Sequence, residues 1–318
     1  MPTLTRRGFV AAAMAGMAGM AGMAGMATSD WARATDGSVP NSAGTERPRH
    51  HAPARACDCH FHIIDARFPP PDTPKPPGMT FDAYRLLQAR LGTTRAVPVQ
   101  PKNHGTDPSC LLDALARFGG NGRGIAVLRP DVTDVELKRL DAGYVRGLRF
   151  SVWNPNDTVA PIATIEPLAK RIAALGWHVQ LHMSGNQIRE NEALLNRLPC
   201  PIVFDHMGRL DPARGPDDPA FATIAGLVEK GRAWVKLAGA YLNTEAGPPG
   251  YPDATRTAQA FVRLAPERLV WGSDWPHVTE KHKPDDAVLF DLLSDWAGSA
   301  AARDRILVDN PATLYGFA

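Results

Sequence analysis

The regular alternation of short apolar runs with longer amphipathic segments constrains the fold of this chain more than any other feature. Eight runs rich in β-branched or apolar residues are predicted as strands, at 56–65, 95–100, 123–130, 145–150, 177–183, 201–208, 233–239 and 268–275. Segments with helical periodicity lie between them, at 80–91, 109–118, 133–140, 162–175, 187–198, 219–229 and 254–264. Strand–helix repetition indicates an α/β fold with parallel strands, and eight units predict a closed (β/α)8 TIM barrel.

An open, doubly wound sheet is the alternative arrangement for the same alternation. Such a sheet usually has a glycine-rich phosphate-binding turn after its first strand. This chain has His60 and His62 at that place instead. The length of 318 residues also fits a single barrel domain, which commonly takes about 250 residues. We therefore predict one barrel domain over residues 56–318.

The start of the chain has the composition of an export signal rather than of a folded domain. A twin-arginine motif at 5–10 (TRRGFV) precedes a weakly apolar Ala/Gly/Met repeat at 11–27. These features predict a Tat signal peptide over residues 1–34 and a periplasmic location. A membrane anchor is the alternative, but glycines interrupt the apolar run, which is shorter than the roughly 20 residues of a membrane span. Residues 35–55 are rich in Ser, Gly, Pro and Arg and are predicted as a flexible linker.

Charge and composition exclude two classes of partner. The formal net charge of +2 is accounted for by Arg6 and Arg7 of the predicted signal, so the mature chain is near neutral and no nucleic-acid partner is expected. A charged fraction of 21% is too high for a multi-span membrane protein, so no membrane association is expected after signal removal. The sequence leaves the oligomeric state open.

Two histidines lie two residues apart on the first predicted strand. In the sequence DCHFH, His60 and His62 share one face of the strand because successive side chains alternate, and we expect both to face the barrel interior. Alone, such a pair is a weak signal, because it is about as often structural as functional.

Three further polar residues end later strands. His182 ends the fifth strand, His206 the sixth and Asp274 the eighth. Since the strand ends of a closed barrel surround a single mouth, we expect these side chains to meet the two histidines of the first strand. Asp205, next to His206, is predicted to face the other way and to be structural.

The order and strand positions of these five residues resemble the pattern of the amidohydrolase superfamily over about residues 56–318. Four motifs are similar to those of its lactonase branch, which includes 2-pyrone-4,6-dicarboxylate lactonase, D-galactarolactone isomerase and sugar lactonases: GLRF with Arg149, FDHMG with His206, WGSDWPH with Asp274 and His277, and NPATLYGF at 310–317. The resemblance implies a metal-dependent-hydrolase-like barrel with these residues at its site.

One departure from the superfamily pattern concerns the metal. Members with two metals have a bridging lysine or glutamate on strand four, where this chain reads VRGLRF at 145–150. A binuclear centre is therefore not expected. The resemblance leaves either no cofactor, which we favour, or one divalent cation, zinc or manganese, held by His60, His62, His182 and Asp274.

Cationic and aromatic side chains are also predicted around the mouth. Guanidinium and imidazole groups that follow or lie in the strands favour a small anionic substrate; they are Arg129, Arg149, Arg209 and His277, with Lys236 in strand seven. Arg149 is the strongest candidate, because an inward-facing arginine needs a partner. The alternative is that these residues pair with acidic neighbours. His206 and Trp153 complete the predicted substrate-binding set, and Trp153 and Tyr241 could pack against a ring.

The predicted function is hydrolysis of a small carboxylated lactone or sugar-acid lactone. Asp274 is the predicted general base, and His60, His62 and His182 polarise the lactone carbonyl directly or through one metal ion. A lactone isomerase of the D-galactarolactone type would use the same residues, because only the attacking oxygen differs. Two further functions stay open at this point: a metal-dependent decarboxylase and a non-catalytic periplasmic sugar-acid binding protein.

Overall fold

The computed structural model describes residues 37–70 and 72–318 of the chain. The predicted signal peptide over 1–34 lies outside the described residues, so the export route stays a prediction. Among the described helices, none combines the length and the apolar character that crossing a lipid bilayer requires.

The strands of the described chain pair in parallel and follow one another in sequence order. The first two strands form one pair, β1 (Cys57–Phe61) with β2 (Arg95–Pro98). The next six form one sheet: β3 (Gly124–Ala126), β4 (Val145–Ser151), β5 (His178–His182), β6 (Ile202–Phe204), β7 (Ala233–Leu237) and β8 (Leu269–Trp271). Each predicted run coincides with one strand, so the predicted parallel arrangement is confirmed.

Backbone contacts join the two sheets on both sides. An isolated parallel bridge pairs Val99 with Ile125, next to the ends of β2 and β3. At the other side, the backbone amide of Asp274 donates to the carbonyl of His60 at 2.7 Å. The strands therefore form a curled parallel sheet, and its first and last strands meet where the predicted site lies.

A glycine permits the close approach of β8 to β1. A Cβ added at Gly272 would lie 2.5 Å from the Cβ of His60, a distance that real side chains do not tolerate. The glycine of the WGSD sequence therefore allows the residues after β8 to lie directly beside His60.

Helices alternate with the strands as predicted. They are α1 (Phe81–Leu91), α2 (Ser109–Phe118), α3 (Asp134–Ala142), α4 (Ile165–Ile172), α5 (Gly185–Glu190), α6 (Glu192–Arg197), α7 (Pro219–Glu229), α8 (Pro252–Leu264), α9 (Asp286–Ala297), α10 (Ala300–Asp304) and α11 (Asn310–Tyr315). In α4, Ile165, Leu168 and Ile172 recur at helical spacing and are all buried, which is why this segment forms an amphipathic helix. The hydroxyl of Thr80 accepts from the amide of Ala83 and caps the start of α1.

Residues 37–50, here called the N-terminal strap, lie against the domain. The indole Nε1 of Trp275 donates to the carbonyl of Pro40 at 2.7 Å, and the Arg49 guanidinium contacts Asp291 at 3.1 Å. This part of the predicted flexible linker therefore makes specific contacts. Composition did not show them, because backbone carbonyls and arginine side chains make them rather than an apolar face.

Replacing Arg90 by Met is expected to lower the free energy of unfolding by about 2 kcal/mol, because buried charged hydrogen bonds are lost. The buried Arg90 guanidinium donates to Glu46 O at 2.7 Å and Ala43 O at 3.0 Å of the strap, and to Asp285 Oδ1 at 2.6 Å. Urea denaturation measures the change. The matched control is Arg129→Met on the surface. An equal, small effect in both variants would contradict the role given to Arg90.

Candidate active site

The two histidines of β1 have different partners on their Nδ1 atoms. Nδ1 of His62 lies 2.8 Å from the carbonyl of Val99, which only accepts, so the ring proton is on Nδ1 and Nε2 is an acceptor. Nδ1 of His60 lies 3.2 Å from Asp205 Oδ1 and 3.4 Å from Lys236 Nζ. Burial lowers the pKa of both imidazoles, that of His62 well below its usual value. Both rings are therefore neutral bases near pH 7.

The Asp274 carboxylate lies beside these imidazoles. Its Oδ1 is 3.5 Å from Nε2 of His60 and 3.7 Å from Nε2 of His62. Its Oδ2 accepts a hydrogen bond of 2.6 Å from the hydroxyl of Tyr241. The backbone of Asp274 has a φ of 62°, a region that aspartate tolerates better than most residues. The turn after β8 thus directs one carboxylate oxygen at the histidines and the other at a tyrosine.

Two further imidazoles complete the cluster. Ser151 Oγ lies 3.0 Å from Nδ1 of His182; because the hydroxyl can donate there, the ring proton of His182 can remain on Nε2. Burial, followed by the nearby Arg149, lowers the pKa of His182 to about 3. The His206 ring lies 5.2 Å from that of His182 and 4.8 Å from that of His60. The structure therefore brings together all five residues that the sequence placed at the strand ends.

Several buried imidazole nitrogens have no protein partner in the cluster. Within residues 37–70 and 72–318, Nε2 of His60, Nε2 of His182 and Nδ1 of His206 make no hydrogen bond. A buried polar atom without a partner is costly. These atoms are therefore available to a bound water, cation or substrate.

Asp205 connects this cluster to the cationic residues beneath it. Its Oδ2 accepts from Arg149 Nε and from Gln180 Nε2, each at 3.2 Å. Burial raises the pKa of Asp205, but the nearby His60, Lys236 and Arg149 outweigh burial and hold the pKa well below its usual value. Asp205 is thus an ionised carboxylate that orients both His60 and Arg149.

The position of Asp205 corrects the sequence analysis, which placed it on the opposite face as a structural residue. Residues two apart share a face, so Asp205 lies on the same side as Val203 of β6. His206 reaches the site for another reason, because its φ of 49° turns the chain after the strand. Counting the alternation from Val203 would have predicted Asp205.

Lys236 is buried below the cluster rather than exposed at the mouth. Its Nζ donates to Cys59 O at 2.7 Å and to Gln180 Oε1 at 2.8 Å. Burial lowers the pKa of Lys236 to about 8, although Asp205 opposes the shift. Its role is to hold the polar interior rather than to bind a substrate.

The predicted arginines have three different environments. Arg149 lines the cavity beside the histidines. Arg209 lies over the Trp153 ring, with Cζ 4.7 Å from the ring centre. The prediction that Arg129 binds the substrate is wrong, because its side chain is exposed on the surface and pairs with Asp131 at 3.2 Å. β3 ends three residues before Arg129, so the alternation along the strand no longer directs this side chain.

His277 also differs from its predicted role. It is fully buried, with Nε2 3.1 Å from Asp286 Oδ2 and Nδ1 3.0 Å from the Tyr241 hydroxyl. It therefore lies behind Asp274, and neither His277 nor Tyr241 is among the residues that line the cavity. Trp153, in contrast, lines the cavity, and its ring stacks on His182 with centres 6.1 Å apart.

A cavity of about 350 Å³ opens beside the cluster. Its walls include His62, Arg149, Trp153, His182, His206 and Asp274, together with Lys102 and Asn103 from the loop after β2. This volume fits a small ligand. A carboxylate base, neutral imidazoles and a guanidinium thus face one cavity.

Comparison with known proteins agrees with this geometry. The sequence model of the family described as Amidohydrolase matches residues 57–317. This chain belongs to the amidohydrolase family. The superfamily resemblance predicted from the strand-end residues is therefore confirmed.

The curated relatives within the amidohydrolase family act on lactones by name. A 4-sulfomuconolactone hydrolase from Hydrogenophaga intermedia is 36% identical over 85% of this chain and 93% of its own length. A 2-pyrone-4,6-dicarboxylate hydrolase from Comamonas testosteroni is 33% identical over 86% and 94%. A D-galactarolactone isomerase from Agrobacterium fabrum is 28% identical over 90% and 97%. This chain is an enzyme of the same group.

Solved structures are also similar. A protein from Agrobacterium tumefaciens superposes with a TM-score of 0.80 at 28% identity, and the match covers 87% of this chain and 99% of that protein. An amidohydrolase from Burkholderia multivorans superposes with a TM-score of 0.63 at 18% identity, over 83% of this chain and 100% of that protein. The curled parallel sheet is therefore an amidohydrolase-type fold.

The side chains at the centre of the site fit one divalent metal ion. One ligand atom from each of His60, His62 and Asp274 lies within 4.8 Å of the others. Partners on the Nδ1 atoms of both histidines orient their Nε2 atoms toward Asp274, as carboxylates and carbonyls commonly do around metal-binding histidines. The donor set suits zinc or manganese.

Acidification from pH 7 to pH 5 is expected to lower the free energy of unfolding, because His178 and His182 are buried as neutral rings. Burial lowers the pKa of each to about 3, whereas an unfolded chain titrates near 6.5. Between these values the unfolded state binds more protons. The stabilisation is therefore complete above about pH 6.5 and is lost as the pH falls toward about 3.

Urea denaturation at several pH values measures this dependence. The His178→Gln variant removes the ring at the start of β5, which lies away from the cavity, and keeps His182 at the end of the strand. This variant should lose less stability on acidification than the wild type. Equal losses in both proteins would contradict the account.

Proposed function

We propose that this chain is a hydrolase that opens a small carboxylated lactone, with Asp274 as the general base. The observation that carries the proposal is the position of the Asp274 carboxylate, whose Oδ1 lies 3.5 Å and 3.7 Å from Nε2 of His60 and His62. Relatives named as lactone hydrolases, at 36% and 33% identity, support the same reaction class.

In the proposed reaction, a water molecule donates hydrogen bonds to Asp274 Oδ1 and to Nε2 of His62, which are neighbouring acceptors. Asp274 takes one proton as the water oxygen bonds to the lactone carbonyl carbon. Nε2–H of His182 donates to the carbonyl oxygen as negative charge develops there. The ring C–O bond then breaks, and Asp274 returns the proton to the departing alkoxide. The product has a new carboxyl group and a new hydroxyl group.

These roles refine the sequence analysis, in which His60, His62 and His182 polarised the carbonyl together. The proton of His62 is on Nδ1, bonded to Val99, so its Nε2 accepts from water rather than donating to a carbonyl. His182 has the free Nε2 and a hydroxyl beside Nδ1, so we assign the direct contact with the carbonyl oxygen to His182.

The position of Arg149 supports the proposal that the substrate has a negative charge. Its Nε is bonded to Asp205, and Arg149 lines the cavity. Planar guanidinium groups bind carboxylates through two parallel hydrogen bonds. We therefore propose that Arg149 binds a carboxylate on the lactone and fixes the ring against Trp153.

We propose that the reaction takes place without a metal ion. The alternative is a reaction that requires one bound divalent ion. When bound, such an ion would polarise the carbonyl or acidify water. His60, His62 and Asp274 would hold it. The two versions predict opposite effects of a chelator on turnover.

An isomerase is the second candidate function. A 28% identical relative is named D-galactarolactone isomerase, and the same base could take a proton from a hydroxyl of the substrate. Attack by that hydroxyl would exchange one ring for another without consuming water.

Barrel closure and export also belong to the proposal. The bridge between Val99 and Ile125 and the bond between Asp274 and His60 support a complete (β/α)8 barrel. The twin-arginine motif at 5–10 supports Tat export to the periplasm.

A panel of carboxylated and sugar-acid lactones, followed by proton NMR with and without a chelator, tests the function. Ring opening that continues after metal removal, checked by elemental analysis, is the expected result. Ring exchange would favour the isomerase. Release of carbon dioxide from an aromatic acid would favour a decarboxylase, and binding of lactones without turnover would indicate a binding protein.

A further inference from the structure

A chain of hydrogen bonds behind Asp274 has no role in the reaction as described so far. The hydroxyl of Tyr241 donates to Asp274 Oδ2 at 2.6 Å. The phenol oxygen of Tyr241 also lies 3.0 Å from Nδ1 of His277, and Nε2 of His277 lies 3.1 Å from Asp286 Oδ2. Four side chains from the ends of β7 and β8 and the start of α9 are thus linked in one line.

Proton counting gives the direction of the two bonds that the Tyr241 hydroxyl makes. A phenol has one proton, and the 2.6 Å bond directs it to the Asp274 carboxylate. The phenol oxygen therefore accepts from Nδ1–H of His277. Asp286, whose carboxylate lies at the positive N-terminal end of α9, faces the other ring nitrogen and fixes the orientation of the imidazole.

The far end of this line is buried. The side chains of His277 and Asp286 are both fully buried. The backbone amide of Asp286 also lies 3.3 Å from Ser42 Oγ of the N-terminal strap. The imidazole therefore has one orientation, and the Tyr241 hydroxyl has one place.

We propose that Tyr241 and His277 are positioning residues, which hold the Asp274 carboxylate so that Oδ1 faces the nucleophile. This inference rests on the proposed role of Asp274 as general base. The hydrogen bond from Tyr241 occupies Oδ2 and stops the carboxylate from rotating. Oδ1 then remains at 3.5 Å and 3.7 Å from the histidines of β1.

The Tyr241→Phe variant removes only the oxygen at the centre of the line. We expect kcat to fall by about 10- to 100-fold, the usual cost of losing a partner that orients a catalytic group. KM should change less than about twofold, because Tyr241 does not bind the substrate in this account. His277→Gln should lower kcat in the same way. Tyr251→Phe, at another buried tyrosine, is the matched control and should keep wild-type kcat.

A double-mutant cycle with Asp274→Asn tests whether Tyr241 acts through the carboxylate. If it does, adding Tyr241→Phe to Asp274→Asn lowers the residual activity no further. Wild-type kcat in Tyr241→Phe, a raised KM with unchanged kcat, or additive losses in the double variant would each overturn the proposal.

A crystal structure of the Tyr241→Phe variant gives a readout that does not depend on activity. The carboxylate of Asp274 should rotate away from its position beside His60 and His62. An unmoved carboxylate overturns the positioning role even if lactones are hydrolysed. A rotated carboxylate in a protein that turns over no lactone would instead support the positioning role and reject the proposed function.

Discussion

The Asp274→Asn variant is expected to lose about 10²- to 10⁴-fold in kcat while it remains folded, because an amide cannot take the proton of the attacking water. Asparagine has nearly the same shape as aspartate, and its oxygen can still accept from Tyr241. Steady-state hydrolysis of the best lactone measures the loss, and thermal unfolding checks the fold.

Asp131→Asn is the matched control for this prediction. Asp131 has an exposed carboxylate that pairs with Arg129 on the surface. The Asp131→Asn variant should keep wild-type kcat. A near wild-type rate in Asp274→Asn would show that another group takes the proton.

Replacing Asp205 by Ala is expected to lower the free energy of unfolding by about 3 to 5 kcal/mol, the usual cost of removing one partner of a buried ion pair. Asp205 is fully buried between Arg149 and His60, and Lys236 Nζ lies 3.9 Å away. Without the carboxylate, two buried cations lack a counter-charge. This loss is a large part of the roughly 5 to 15 kcal/mol that stabilises a typical domain.

Urea denaturation of Asp205→Ala, Asp205→Asn and the surface variant Asp131→Ala measures this effect. Asp205→Asn should lower the free energy of unfolding less than Asp205→Ala does, because the amide keeps part of the hydrogen bonding. The depressed pKa of Asp205 predicts stabilisation that is present above the ordinary aspartate pKa and is lost as the pH falls below it. A change in Asp205→Ala as small as that in Asp131→Ala would contradict the role of Asp205.

Much of the fold could be predicted, because strand and helix periodicities are local properties of the sequence. The eight apolar runs coincide with the eight strands. The gathering of His60, His182 and Asp274 followed from one rule, that parallel strands end at one rim. Neither inference required knowledge of side-chain packing.

The residues that the sequence misplaced lie just beyond strand ends. Arg129 and His277 lie where turns replace the two-residue alternation, whereas Asp205 still follows the alternation of β6 and the chain turns only at His206. A φ of 54° at His277 directs its ring away from the cavity. Hydrogen bonds that join distant segments, such as the bond between Tyr241 and Asp274, depend on the folded arrangement and leave no local pattern.

The contacts of the N-terminal strap could not be predicted from the sequence for a related reason. Trp275 and Arg90 bind its backbone carbonyls, and every residue has a carbonyl regardless of its side chain. Composition can therefore indicate a segment without an apolar face, but it cannot show whether that segment is bound.

A crystal structure of the Asp274→Asn variant with an unhydrolysed lactone tests the central claim most directly. The account predicts the carbonyl oxygen at about 3 Å from Nε2 of His182. It also predicts the lactone carboxylate on Arg149 and the carbonyl carbon facing the side chain of residue 274. A lactone bound with its carbonyl turned away from both His182 and residue 274 would contradict it.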